Sequence, residues 1–334
     1  MNKKIAFVSG ASGQTASYMI EKLLKEGFRV VGLKRRTSLI STDRIDHLYG
    51  QQDFSLRYFD LNDPASIYSL LKEYQPDFFF NFAAMSHVKV SFEVTQDTVN
   101  NVGLGVLRIL DAIKLVSPHT KFFQASSSEQ FGGNKIIPFN EESKFVPNSP
   151  YAAAKVLACD LVRIYRESYG LYACSGIMFN SESPRRGSTF VTRKITLGAA
   201  SIKLGIEDNL VLGNLFSKRD WTFSGDTVEA IFLMMQQETP SDYVISSDET
   251  HTVEDFLKVV FEHSGLGDYK KYVLTDKKYF RPLEVDCLLG DSTKIRKLGW
   301  KPKVSFEELA KMMYDSDFKL MELKIKEGKS KWRI

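Results

Sequence analysis

Short apolar segments alternate with amphipathic helices through much of this 334-residue chain, and this alternation limits the fold more than any other feature. Buried parallel strands read as short apolar runs, and each needs a crossover helix before the next strand. The alternation of strands and helices along the chain therefore predicts an α/β fold with a doubly wound, Rossmann-like parallel sheet. We expect its strands at residues 4–10, 29–33, 56–61, 77–82, 121–126, 171–179 and 242–246.

A polar, proline-broken and basic stretch follows residue 180 and is predicted to cross into a second lobe. The length of the chain allows one core with a lobe attached. We expect residues 1–180, completed by about 215–247, to form the Rossmann domain. Residues 181–214 and 248–334 are predicted to form a smaller mixed α/β lobe.

The composition is that of a water-soluble globular protein, with 43% hydrophobic and 26% charged residues. The 45 basic and 41 acidic residues are spread along the chain and leave a net charge of +4, which predicts neither nucleic acid nor membrane as a partner. Cys159, Cys174 and Cys287 lie far apart and lack zinc spacing, so we expect reduced core residues, no metal site and a cytoplasmic protein. The start of the chain leads directly into a strand rather than a signal peptide.

A glycine turn, Gly10 to Ala16, follows the first strand and precedes a helix. It contains Gly10, Ser12, Gly13, Gln14 and Thr15, with Ala16 where a third glycine usually stands. Such a turn places backbone N–H groups and the positive end of a helix dipole against a dinucleotide pyrophosphate. The alternative is an ordinary tight turn, but its position after an amino-terminal strand favours cofactor binding.

The second strand ends at Lys34 to Ser38, about 20 residues after the first glycine, where NAD-binding chains carry an acidic residue. Cations and hydroxyls at this point suit a ribose 2′-phosphate, so the sequence favours NADP, the alternative being a solvated basic turn. Asp60 ends the third predicted strand and could contact the adenine. Small residues after the fourth strand, Ala83 and Ala84, allow a flat ring to approach the backbone.

The stretch Ser126 to Lys155 carries the strongest chemical signal. Tyr151 and Lys155 are four residues apart on a predicted helix and therefore share one face. A free tyrosine ionises near pH ~10, so an ammonium beside it would favour the phenolate and make a base. Glu129, after the fifth strand, adds a carboxylate at the same edge of the sheet.

Three basic loops, each with an aromatic residue, follow in the second half of the chain. They span residues 180–194, 214–221 and 279–282. Guanidinium and ammonium groups with aromatic rings suit a ligand that carries a diphosphate and a flat base. The alternative interpretation is that these loops are only exposed to solvent and bind no ligand.

The glycine turn followed by Ser127, Tyr151 and Lys155 resembles the extended short-chain dehydrogenase/reductase family over nearly the whole chain. More specific stretches resemble the GDP-mannose 4,6-dehydratase branch of that family. They are Arg35 to Ser38, Arg44 to Tyr49, Ser86 to Glu93, Tyr165 to Gly170, Glu182 to Gly187, Phe190 to Lys194, Arg219 to Trp221 and Tyr279 to Pro282.

The resemblance implies a dehydration driven by internal hydride transfer with NADP. Tyr151, its pKa lowered by Lys155 and the nicotinamide charge, would take the proton of the sugar C4 hydroxyl, while Ser127 holds that oxygen. Glu129 would then remove the C5 proton, water would leave from C6, and the hydride would return to C6. Ser128 stands where related dTDP-sugar dehydratases have an aspartate, so the proton donor for the leaving hydroxyl is unassigned.

The resemblance also implies the ligand contacts and a dimer or tetramer, with the basic stretch near Arg35 at a subunit contact. The implied cofactor residues are Gly10, Ser12, Gly13, Gln14, Thr15, Arg35, Asp60, Leu61, Phe82, Ala83, Ala84, Ser86, Tyr151, Lys155 and Arg186. The implied GDP-sugar residues are Ser86, Asn180, Val191, Lys194, Arg219, Arg281 and Glu284.

Departures from the usual pattern are Met85 for glutamine, Asp97 for tyrosine, Ser181 for histidine and Ser188 for glutamate. They leave a GDP-heptose or a GDP-N-acetylhexosamine open as the substrate beside GDP-mannose. A GDP-keto-sugar reductase or epimerase, which would consume reduced cofactor, is a second reading. A third hypothesis is a binding module that has no catalytic activity. The presence of all four candidate catalytic residues argues against it: Ser127, Glu129, Tyr151 and Lys155.

Overall fold

A parallel seven-stranded sheet forms the core of the chain in a computed structural model that describes residues 3–279, 283 and 285–327. The strands are β1 Ile5–Ser9, β2 Arg29–Lys34, β3 Phe54–Tyr58, β4 Phe78–Asn81, β5 Lys121–Ser127, β6 Ala173–Met178, β7 Asn180–Glu182, β8 Leu210–Leu212, β9 Lys218–Arg219, β10 Trp221–Phe223, β11 Tyr243–Ile245, β12 His251–Thr252 and β13 Val273–Thr275. The α-helices are α1 Gln14–Lys25, α2 Pro64–Tyr74, α3 Val90–Glu93, α4 Thr95–Val99, α5 Gly105–Val116, α6 Pro150–Tyr169, α7 Val191–Lys203, α8 Ser224–Met235, α9 Val253–His263, α10 Thr293–Arg296 and α11 Phe306–Lys326.

The sheet has the strand order β11-β6-β5-β4-β1-β2-β3, so the winding reverses between β1 and β4. Ser9 at the end of β1 pairs with Leu33 of β2 on one side and Asn81 of β4 on the other. Ligands of open α/β sheets bind outside the carboxyl ends of the strands at such a reversal. The predicted doubly wound sheet is therefore confirmed, and its topology places the glycine turn at the expected edge.

Consecutive phenylalanines in β4 pack on opposite faces of this sheet. Phe79 joins Phe7 and Phe122 in the core beneath α2, α5 and α6, whereas Phe78 and Phe80 join Phe123 in the core beneath α1 and α8. Successive side chains of a strand alternate between faces, and a parallel sheet is covered on both. The uninterrupted apolar run is thus the expected signature of a strand buried on both sides.

Helices α7, α9 and α11 pack around a second core that contains Trp221, Phe256 and Phe261. Three two-stranded sheets border it: β10 with β7, β12 with β9, and β13 with β8. The buried carboxylate of Asp317 on α11 holds α7 by accepting hydrogen bonds from Arg193 and Thr196. The proposed division of the chain into two lobes stays a prediction.

One detail of the predicted elements was wrong. The third strand was expected at residues 56–61, but β3 spans Phe54–Tyr58, so Asp60 and Leu61 follow its end. A π-helical turn, Asn100–Leu104, lies between α4 and α5. In the described part of the chain, no helix combines the length and apolar character needed to cross a membrane.

Candidate active site

A cavity of about 510 Å³ opens at the carboxyl ends of β1, β4, β5 and β6. It joins the glycine turn to the residues of the Ser126 to Lys155 stretch. Its lining comprises Gly10, Ser12, Gly13, Gln14, Thr15, Ala16, Arg44, Phe82, Ala83, Ala84, Ser86, Val88, Ala125, Ser126, Ser127, Ser128, Glu129, Tyr151, Lys155, Met178, Phe179, Asn180, Ser181, Arg186, Gly187 and Phe190.

The glycine turn has the backbone geometry of a phosphate site. Gly10 has φ +67°, and a Cβ there would meet the backbone nitrogen of Ala83 at 3.0 Å, so only glycine fits. Gly13 is the N-cap of α1, and no side chain caps this helix. The first N–H groups of α1 are therefore available to an anionic ligand together with the helix dipole. These features fit the pyrophosphate of a dinucleotide cofactor.

Gln14 connects this turn to β7 and the segment after it. Its side-chain amide nitrogen donates to the carbonyl oxygen of Ser181 at 2.8 Å, and its amide oxygen accepts from the Ser183 hydroxyl at 2.8 Å. Both ends of the amide are therefore engaged in fixing the position of the turn.

Ser127 and Glu129 are fixed by the transition from β5 to a short 3₁₀-helix, Ser128–Phe131. Ser127 is its N-cap: the hydroxyl accepts from the Glu129 N–H at 3.3 Å, and the Ser127 N–H donates to the Gln130 side-chain oxygen at 3.1 Å. This reciprocal capping box defines where the helix starts. Glu129 is buried, with 8% of its surface exposed.

Tyr151 and Lys155 lie on the first turns of α6. Pro150 occupies the first turn of this helix, and the hydroxyl of the N-cap Ser149 accepts from the Ala152 N–H at 3.1 Å. These two signals define the start of the helix and hence the direction of both side chains. Tyr151 and Lys155 are buried, and Tyr151 is hydrogen-bonded to Ser127. The structure thus brings together all four predicted catalytic residues.

The predicted lowering of the Tyr151 pKa by Lys155 and the nicotinamide charge stays a prediction, and burial of the phenol acts against it. Burial raises the pKa of Tyr151 to about 12 and the charge of Glu129 raises it further, although the Ser127 hydrogen bond and the charge of Arg186 oppose the change. The Lys155 ammonium instead donates to the carbonyl oxygen of Ala125 at 2.6 Å. Burial lowers the pKa of Lys155 to about 8.

A second cavity of about 650 Å³ adjoins the first and shares Asn180, Arg186 and Phe190 with it. The predicted substrate residues Val191, Lys194 and Arg219 line this second cavity. Basic loops that are distant in the sequence therefore converge here.

Two contacts show how the cations of this second cavity are held. Arg186 lies with its guanidinium carbon 3.6 Å from the centre of the Phe190 ring and its Nε 3.2 Å from the buried Glu182 carboxylate. Lys194 has its Nζ 4.0 Å from the centre of the Tyr279 ring. Both cations thus face aromatic rings at a wall that an anionic ligand could reach.

Several predicted contacts are not at these cavities. Arg35 is exposed directly after β2, and Asp60 accepts from the Asn62 N–H at 2.9 Å. Leu61 is buried in the core beneath α2 and α5. Arg281 and Glu284 lie outside the described residues. The sequence also gave no sign of a role at this site for Arg44, which lines the first cavity although 32 positions separate it from Ser12 of the glycine turn.

The fold is that of a doubly wound, Rossmann-like α/β protein, and several solved structures share it. A dTDP-glucose 4,6-dehydratase from Bacillus anthracis, solved in complex with NAD, superposes with a TM-score of 0.83 at 20% identity, covering 96% of this chain and 98% of that one. The Pseudomonas aeruginosa protein RMD, complexed with NADPH, superposes with a TM-score of 0.77 at 19% identity, covering 95% and 100%.

The sequence comparisons are more specific. The family model described as GDP-mannose 4,6 dehydratase matches residues 7–313. GDP-mannose 4,6 dehydratase 1 from Arabidopsis thaliana is 49% identical over 329 residues, 95% of this chain and 91% of that protein. The chain belongs to the GDP-mannose 4,6 dehydratase family, which confirms the resemblance found in the sequence.

The lowered pKa of Lys155 predicts a specific dependence of stability on pH. A free lysine has a pKa of 10.5, so from there down to about 8 the unfolded chain binds a proton that the folded protein lacks. The stabilisation is therefore complete above the unfolded pKa and is lost as the pH falls through the folded pKa. Between about pH 7.5 and 9.5, the free energy of unfolding of the wild type should rise by roughly 2 kcal/mol relative to that of Lys155→Met. Urea unfolding of both proteins measures this difference, and parallel pH profiles would contradict it.

Proposed function

We propose that this chain is a GDP-sugar 4,6-dehydratase, a hydro-lyase that converts GDP-mannose to GDP-4-keto-6-deoxymannose with bound NADP. The observation that carries the proposal is the buried Glu129, two residues after the strand-end Ser127, whose side chain is hydrogen-bonded to Tyr151 of α6. A simple alcohol dehydrogenase with this fold has no need of the carboxylate, whereas an elimination needs a base.

NADP is proposed as the cofactor because Lys34 to Ser38 carry cations and hydroxyls where NAD-binding chains carry an acid. Gly10, Gly13 and the uncapped start of α1 would hold the pyrophosphate. When bound, the nicotinamide would supply reversible hydride transfer to and from the sugar.

Tyr151 would accept the proton of the C4 hydroxyl, and Ser127 would hold the C4 oxygen. With a pKa of about 12, Tyr151 is protonated near neutral pH. Additional positive charge must therefore lower that pKa before the phenolate can act, and an oxidised nicotinamide carries such a charge. Lys155 would serve this step by fixing α6 against β5 through Ala125.

Glu129 would take the C5 proton once C4 is a ketone, because the carbonyl makes the neighbouring C–H acidic. The hydroxyl leaving C6 takes up one of the two protons released from the C4 hydroxyl and C5, and departs as water. The other proton returns to C5 when the hydride is returned to C6, so that the net change is the loss of one water molecule. The Ser127 capping box fixes the backbone of Glu129, so its carboxylate starts from a defined position.

The second cavity is proposed to hold the GDP group. Lys194, Arg219 and Arg186 line it and would neutralise the diphosphate, while aromatic side chains such as Trp221 and Tyr279 suit a flat base. The similar proteins are named as GDP-mannose dehydratases, which favours GDP-mannose as the sugar nucleotide. The alternative substrate is a GDP-heptose or a GDP-N-acetylhexosamine, on which the same reaction would take place. We also propose that the protein is a homodimer or homotetramer and that it is cytoplasmic.

The proposed activity predicts that GDP-mannose loses the mass of one water molecule when it is incubated with the purified protein and a trace of NADP. Because the hydride is returned in each turnover, the absorbance of reduced nicotinamide should not change. Mass spectrometry across a panel of GDP-sugars measures both the reaction and its selectivity. If no GDP-sugar loses water and a GDP-keto-sugar instead consumes NADPH, the protein is a reductase.

Glu129→Gln should lower kcat by roughly 10²- to 10⁴-fold because the base for C5 is lost. Binding of NADP, measured by calorimetry, should be unchanged, and solvent deuterium should no longer enter at C5. The matched control is Glu142→Gln, an exposed glutamate on the loop that precedes α6. Undiminished exchange at C5 in Glu129→Gln would remove Glu129 from the role of base.

A further inference from the structure

Arg44 reaches from the loop before the 3₁₀-helix Asp46–Leu48 to the glycine turn. Its Nη1 donates to the carbonyl oxygen of Ser12 at 3.1 Å, and its Nε donates to the carbonyl oxygen of Arg185 at 2.6 Å. These two acceptors belong to different loops, and together they fix the guanidinium at the wall of the first cavity. The side chain is partly buried, so its position is defined by the protein rather than by solvent.

Arg44 differs from the arginines around it in its ion pairing. Arg185 pairs with Glu21 at 2.6 Å, Arg186 with Glu182 at 3.2 Å, and Arg193 with Asp317 at 2.7 Å. Over the described ranges 3–279 and 285–327, the structure has no carboxylate within ion-pair distance of Arg44. Burial lowers the pKa of Arg44, and the charges of the three neighbouring arginines lower it further, against the opposing effect of Asp43. This local cluster therefore contains one guanidinium, that of Arg44, with which no described carboxylate pairs.

Holding a cation without a counter-ion in a partly buried position is unfavourable, and an anionic ligand would relieve that cost. An arginine has five N–H donors in a planar fork that suits phosphate oxygens. The two carbonyl contacts leave several of these donors unused at the cavity wall. The uncapped start of α1 provides further N–H donors in the same cavity.

We propose that Arg44 is a phosphate-binding residue of the cofactor site, which supplies a guanidinium to the nucleotide from outside the glycine turn. The proposal rests on the proposed function, since a dinucleotide must occupy the first cavity. The phosphate is either the ribose 2′-phosphate of NADP or the pyrophosphate that NADP and NAD share. The same guanidinium links the glycine turn to the segment that carries Arg186, so cofactor binding and this segment are physically connected.

The test compares the binding of NADP and NAD to the full chain freed of bound nucleotide, by calorimetry. The variants are Arg44→Ala, Arg44→Lys and, as a matched control, Arg163→Ala, an arginine on α6 that pairs with Glu167 at 3.1 Å away from the cavity. Arg44→Ala should weaken NADP binding roughly 10- to 100-fold. Arg44→Lys should keep part of the affinity because the charge remains, and Arg163→Ala should bind like the wild type.

The pattern of results identifies the phosphate. If Arg44→Ala loses affinity for NADP alone, the contact is with the 2′-phosphate. If both affinities fall and added guanidinium ion restores them, the contact is with the pyrophosphate. If Arg44→Ala loses equal affinity for NADP and NAD and added guanidinium ion does not restore it, the proposal is overturned. Arg44 would then act only by hydrogen bonding to the carbonyl oxygens of Ser12 and Arg185. Unchanged NADP binding by Arg44→Ala would also overturn the proposal. A wild type that binds neither nucleotide would overturn the proposed cofactor as well.

Discussion

A buried hydrogen bond from the Lys155 ammonium to the carbonyl oxygen of Ala125 ties α6 to β5, and the arrangement of the site depends on it. Burying an ammonium costs several kcal/mol, of the order seen for other buried charges, unless good contacts compensate it. Ala125 lies two residues before Ser127, and Lys155 lies one helical turn after Tyr151. This contact, together with the hydrogen bond between Ser127 and Tyr151, therefore fixes the strand end that carries Ser127 and Glu129 against the helix that carries the phenol.

The two cavities are adjacent and share part of their lining. Arg186, Asn180 and Phe190 line each of them, and Glu182 and Phe190 hold the Arg186 side chain in place. The backbone of this segment is also fastened, because Arg193 donates to the carbonyl oxygen of Arg186 at 2.6 Å while Asp317 holds Arg193. Ligands bound in the two cavities would thus meet at Arg186. This geometry is the one that the proposed transfer between a nicotinamide and a sugar requires.

The parallel sheet, the glycine turn and the grouping of Ser127, Glu129, Tyr151 and Lys155 could be predicted from the sequence. Each depends on local patterns: apolar runs such as Phe78 to Phe80, a positive φ at Gly10, and a spacing of four residues on a helix. The carboxyl ends of parallel strands meet at one edge, so the topology brought the rest together.

What the sequence did not predict depends on tertiary burial and long-range contacts. The pKa of Tyr151 is raised rather than lowered because desolvation of the phenol outweighs the favourable charges, and no spacing rule reports burial. Arg44 reaches Ser12 across a loop whose path has no local sequence signal. The Leu61 side chain packs in the core, a burial that its place near the end of a predicted strand did not reveal, and its expected contact with the cofactor stays a prediction.

The proposed mechanism places both halves of an internal oxidation and reduction, and the elimination between them, in one site. Deuterium placed at C4 of GDP-mannose tests this mechanism, in a mixture with undeuterated substrate that carries a different mass label in the mannose ring. The deuterium should appear at C6 of the same molecule, without transfer to the undeuterated population. Loss of the deuterium to solvent, or its recovery in released reduced cofactor, would rule the mechanism out.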